Sequence, residues 1–65
     1  MFVKMSGTVI NLDQCVKFYV SFDAVYFNMV DGKQELVRGV DNKMANSILS
    51  DILEALERGD NVISV

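Results

Sequence analysis

At Asp41 the hydrophobic period of this 65-residue chain changes. Upstream, apolar residues recur at every second position in short runs, the spacing of a half-buried strand; downstream they recur at helical spacing as far as Arg58. Placed about 100° apart on a wheel, Met44, Ala45, Ile48, Leu49, Ile52, Leu53, Ala55 and Leu56 fall in one half. Asn46, Ser47, Ser50, Asp51, Glu54, Glu57 and Arg58 fall in the other. Asp41 is placed as an N-cap, with Val40 and Ala45 as a hydrophobic staple, Glu54 and Arg58 as an i,i+4 ion pair and Gly59 as a left-handed C′ residue. The pattern predicts one helix over about 42–58, after the strands rather than between them, and that order makes an α+β domain.

The strand region is punctuated by glycine, since proline is absent. Ser6-Gly7 between "FVKM" and "TVINL" predicts a tight hairpin, and "NLDQ" breaks the alternation to turn the chain into the next strand. In "VKFYVSF", Val16, Phe18, Val20 and Phe22 take one face and Lys17, Tyr19 and Ser21 the other; "VYFNM" adds Val25, Phe27 and Met29 to the first. A two-residue turn at Asp23-Ala24 pairs Phe22 with Val25, Val20 with Phe27 and Phe18 with Met29. A two-residue type I′ turn at Asp31-Gly32 then sets Phe27 opposite Leu36 in the returning "KQELVRGV". The predicted fold is a single α+β domain over residues 1–65. It has an antiparallel β-meander of about four strands, one C-terminal amphipathic helix on one face, and a short final strand, "NVISV", on an edge of its own or a neighbouring chain.

The helix stripe matches the face of Phe18, Val20, Phe22, Val25, Phe27, Met29 and Leu36. Opposite lie Tyr19, Tyr26, Val30 and Val37, mixed with Lys17, Asn28, Lys33 and Glu35, and nothing in the chain is left to cover them. Domains this small often need a disulfide, a metal or a partner chain. Cys15 is the only cysteine and histidine is absent, so a disulfide within the chain and the usual zinc ligand sets are ruled out. With 51% hydrophobic residues, association is the remaining route. A homo-oligomer is predicted, with Tyr19, Tyr26, Val30 and Val37 at its interface and Leu49 and Leu53 on a second, helical contact.

Function classes narrow by elimination. Nine acidic against six scattered basic residues give a net charge of −3, which disfavours a phosphate backbone as the main partner. No segment approaches the roughly 20 apolar residues of a membrane span, and "MFVKMSGTVI" lacks the features of a signal peptide, so a cytoplasmic location is predicted. There is no Ser-His-Asp or Cys-His set, phosphate-binding glycine loop or metal motif, and no cofactor is predicted. Cys15, with Asp13 and Lys17 on either side, lacks the electropositive setting that favours thiolate and is assigned to structure. Asp51, Glu54 and Glu57, with Asp60, form an acidic helix face, either solvated or meeting a basic protein partner. Tyr19 and Tyr26 could stack bases, but Glu35, Val30 and Val37 on the same predicted face favour oligomer contact. Arg58-Gly59-Asp60 spells an adhesion motif and is accounted for as a helix end.

The order of "SGTVINLDQCVKFYV", a further strand and Asp31-Gly32-Lys33, with Ile10-Asn11 and Asp13, resembles the FlbD-like small flagellar or swarming-motility proteins over roughly the first 40 residues. The resemblance implies a small meander followed by a helix and supplies no catalytic residues. The function expected from all this is non-enzymatic: a protein-interaction or regulatory module acting as a homo-oligomer, of a kind that fits an inhibitor carried by a phage or mobile element. The alternative is an oligomer that sequesters a nucleotide or metabolite in pockets between subunits, with Tyr19, Tyr26, Lys17 and Arg38 as the first candidates for contact.

Overall fold

The computed structural model describes residues 1–5 and 7–65. Six strands, among the described residues, form two three-stranded sheets, with a C-terminal helix between the last two strands. The first sheet has the order β2-β1-β6, from Thr8–Asn11, Phe2–Met5 and Val62–Ser64; the second has the order β3-β4-β5, from Cys15–Ser21, Ala24–Met29 and Gln34–Arg38. The α+β reading holds, and the meander of about four strands resolves into these two sheets. The break comes at Leu12–Gln14, a single 3-10 turn in which the Asn11 side chain accepts a hydrogen bond from the Asp13 amide. That local bond gives the backbone an alternative to the ladder, so β2 and β3 part instead of pairing.

In the first sheet, Met5 pairs with Thr8 and Val3 with Ile10, and Gly7 lies in the left-handed region at φ 83°. Ser6, the other residue of the predicted Ser6-Gly7 hairpin, lies outside the described residues. The final strand β6 runs parallel to β1, with Val3 opposite Ile63, so its edge belongs to its own chain.

Helix α1 spans Asn42–Arg58. The Asp41 side chain accepts from the Met44 amide at 2.8 Å, and Gly59 closes the helix at φ 75° with its amide on Ala55 and Leu56. Two predicted details differ. Val40 is 84% exposed and makes no staple on buried Ala45, while Arg58 turns from Glu54 to Asp60, at 2.9 Å. Replacing Asp41 by alanine removes the acceptor for an orphan amide; a loss of about 1 kcal/mol in urea-unfolding free energy is the expected result.

One core serves both sheets and the helix: Val3, Ile10, Val25, Phe27, Val37, Ala45, Ile48 and Ile52 form a single buried cluster. Each large aliphatic or aromatic side chain buried there is worth about 1.5–3 kcal/mol. The helix packs on β3 and β4 through Ala45, Ile48, Ile52 and Ala55.

Three corrections to the expected registers decide what faces outward. The β3–β4 turn lies at Phe22-Asp23 rather than Asp23-Ala24, so Val20 pairs with Val25, Tyr19 with Tyr26 and Phe18 with Phe27. The faces survive this change, but Phe22 leaves the core and is 85% exposed. A β-bulge between Cys15 and Lys17 throws Val16 out of the ladder, 70% exposed, and turns half-buried Cys15 toward the core beside Met29. The β4–β5 loop has three residues rather than two. The Gly32 amide bonds to the Met29 carbonyl and the Met29 amide to the Lys33 carbonyl, with Gly32 at φ 86°. This is a type I turn closed by a left-handed residue. The extra residue flips β5: Val37 faces the core, 5% exposed, and Leu36 faces out beside Tyr26.

Candidate interaction surface

With the helix on one side of the second sheet, the other side is an open face of three rows. The registers line up Lys17, Asn28 and Gln34 in the first row, Tyr19, Tyr26 and Leu36 in the second, and Ser21, Ala24 and Arg38 in the third, where Ala24 itself is buried. An apolar row thus runs across all three strands between two rows that each carry one cation and no carboxylate.

The central row is pre-assembled. Tyr19 and Tyr26 stack with ring centroids 5.5 Å apart and planes 16° from parallel. The Lys17 ammonium sits 5.4 Å from the Tyr19 ring centroid, within the range of a cation–π contact. Gln34 donates from Nε2 to the Tyr19 hydroxyl at 3.1 Å and to Asn28 Oδ1 at 2.9 Å. These contacts order the pair, with one face of each ring spent on the other. Both tyrosines are half-buried and Leu36 is exposed.

At one end of this face stands the β3–β4 turn. Phe22 has φ 55° and, among the described residues, is the one non-glycine at positive φ. Positive φ at the first loop position and not the second is the sign pattern of a type II′ turn, in which glycine normally stands first. Three bonds hold the turn: Asn42 Nδ2 donates to the Phe22 carbonyl at 2.6 Å, the Gly39 amide to the Asp23 carbonyl at 2.6 Å, and Arg38 pairs with Asp23 at 3.2 Å. Beside Arg38, a half-open cavity of about 170 Å³ is lined by Met5, Thr8, Leu36, Val37 and Arg38.

The residues singled out from sequence distribute unevenly. Tyr19, Tyr26, Lys17 and Arg38 come together on the open face. Val30 lies in the β4–β5 loop, 59% exposed, and Val37 is in the core rather than on that face. Leu49 is half-buried against the core, and Leu53, 47% exposed, is on the helix with the exposed Asp51, Glu54 and Glu57. Sequence reasoning missed Leu36 and Gln34, which the loop length controls, and Phe22, which the turn position controls. It also missed Phe2, Val9 and Val62, exposed on the outer side of the first sheet. Among the described residues no group of three Cys, Asp or Glu side chains is placed to hold a metal ion, and no helix is long and apolar enough to cross a membrane. Comparison with protein-family models, curated proteins and solved structures gave no match.

Proposed function

We propose that this chain is a non-enzymatic, cytoplasmic interaction or regulatory module that acts as a homo-oligomer through the open face of its second sheet. The observation that carries the reading is the Tyr19–Tyr26–Leu36 row: apolar, ordered by stacking and hydrogen bonds, and uncovered. Aromatic side chains held rigid contribute large contact area at low entropic cost, which is the composition of interface cores. Light scattering on the purified chain tests it. A mass above that of the 7.3 kDa monomer at micromolar concentration is the expected result, and a monomer at the highest soluble concentration would sink the reading.

The acidic helix face is the surface left for a second, basic partner. Changing both Glu54 and Glu57 to lysine should abolish capture of such a partner at low salt while leaving the oligomer intact, because both side chains are exposed on the helix side. A pull-down run beside light scattering reads both effects.

One observation favours the sequestering alternative. The β5 flip moves Glu35 to the same side as Phe27 and brings Arg38 onto the open face with Lys17 and the tyrosines. An anionic, planar ligand between two such faces would meet cations and aromatic edges together. Thermal shift against nucleotides and acidic metabolites discriminates, since a ligand bound only by the folded form raises the midpoint.

A further inference from the structure

We propose that Phe22 anchors a two-fold self-association in which each copy seats this side chain in the cavity beside β5 of the other. The inference rests on the homo-oligomer reading above and names the contact and its symmetry. Phe22 and Val40 are the two most exposed large apolar residues, at 85% and 84%. Both stand on segments tied together by the Gly39–Asp23 and Asn42–Phe22 hydrogen bonds. The register accounts for a turn at Phe22-Asp23 but not for an aromatic side chain there: the ring is 85% exposed, while one bond to Phe22 and two to Asp23 hold the turn that presents it.

The cavity supplies the counterpart. A cavity of about 150 Å³ has room for a benzene ring; the half-open one beside β5 has about 170 Å³, with Met5, Leu36 and Val37 as apolar walls and Thr8 and Arg38 as polar ones. Knob and cavity adjoin, because Arg38 lines the cavity and also pairs with Asp23, the residue after Phe22. A patch that carries its own complement beside it satisfies the isologous condition, in which residue i meets j and j meets i. Charge agrees with this. Asp23, half-buried, and Arg38, exposed, pair at 3.2 Å within the chain, and a two-fold axis passing near them would bring each Arg38 close to the other copy's Asp23 as well. The patch is also continuous with the Tyr19–Tyr26–Leu36 row through Leu36.

Sedimentation equilibrium on the full chain tests the proposal with two variants. Phe22→Gly keeps the turn, since glycine accepts positive φ freely; it is expected to weaken dimerisation roughly 30-fold or more, as removal of an interface anchor does, with no fall in the thermal midpoint of the dilute monomer. Thr8→Trp fills the cavity from an exposed wall residue and should weaken dimerisation comparably. Combining the two should add little to either, because both remove one contact. A wild-type chain that stays monomeric overturns the homo-oligomer reading and this inference together. A wild-type dimer whose association is unchanged by Phe22→Gly or by Thr8→Trp overturns this inference alone, as does a trimer or other odd assembly.

Discussion

Phe27→Ala should lower the unfolding free energy by about 3–5 kcal/mol. Phe27 is on the central strand of the second sheet, is 0% exposed, and stacks on Phe18 with ring centroids 5.7 Å apart. It belongs to the cluster that joins both sheets to Ile48 and Ile52 of the helix. Truncating a fully buried phenylalanine costs about 3–5 kcal/mol, as lost transfer free energy plus the cavity left behind. The whole stability of a domain this size is on the order of 3–10 kcal/mol, so the substitution removes a large share of it. Far-UV circular dichroism with urea titration reads the outcome. A cooperative transition within about 1 kcal/mol of wild type would mean that the core is not organised around this ring, since surface changes fall in that range.

The bounds of the helix and its two caps were legible because their determinants are local, while the Val40 staple and the Glu54–Arg58 pair did not form. Asp41, the stripe from Met44 to Leu56, and Gly59 each act within one or two turns, and the helix runs over Asn42–Arg58 as the spacing predicts. The orientation of β5 was not legible, for a definite reason. Leu36 and Val37 are adjacent and both apolar, so either can face the core, and only the length of the preceding loop decides. Asp31-Gly32 is compatible with a two-residue loop at two positive φ values or a three-residue loop at one; the chain uses the second, with Gly32 alone at positive φ in that loop.

Phe22 shows a different limit. Local chemistry favours Asp23-Ala24 as the turn, because a bulky residue at positive φ costs about 1–3 kcal/mol. The register that results from accepting that strain brings Phe18 onto Phe27 and Tyr19 onto Tyr26 as direct neighbours. Two aromatic pairs at about 0.5–1.5 kcal/mol each match the strain in size. The bonds from Arg38, Gly39 and Asn42 to the turn then tip the balance. All of these partners are distant in sequence. The same holds for β6 against β1, where two short runs meet only after the helix has carried the chain back. Of the candidate surface, Tyr19, Tyr26 and Lys17 could be named from the alternation of β3 and β4; Leu36 and Gln34 could not, and Val37 was misplaced with them.

Tyr26→Asp should convert the oligomer to folded monomers. Tyr26 holds the middle of the apolar row, between Tyr19 and Leu36. In the isolated chain its ring is half-buried, so an aspartate there loses one stacked pair, about 0.5–1.5 kcal/mol, and keeps its carboxylate in water. In an assembly that covers the row, the same carboxylate is stripped of solvent in an apolar contact without a partner of its own, a cost of several kcal/mol, enough for a shift of 10²-fold or more in the association constant. The two effects separate by measurement. Circular dichroism should show a native spectrum with a lowered midpoint, and sedimentation equilibrium a monomer where the wild type is associated. Tyr26→Phe keeps the apolar area and the stack, so it should remain associated. If Tyr26→Asp keeps the wild-type mass at micromolar concentration with its fold intact, the open face is not where the copies meet, and the helix flank at Leu53 becomes the surface to test.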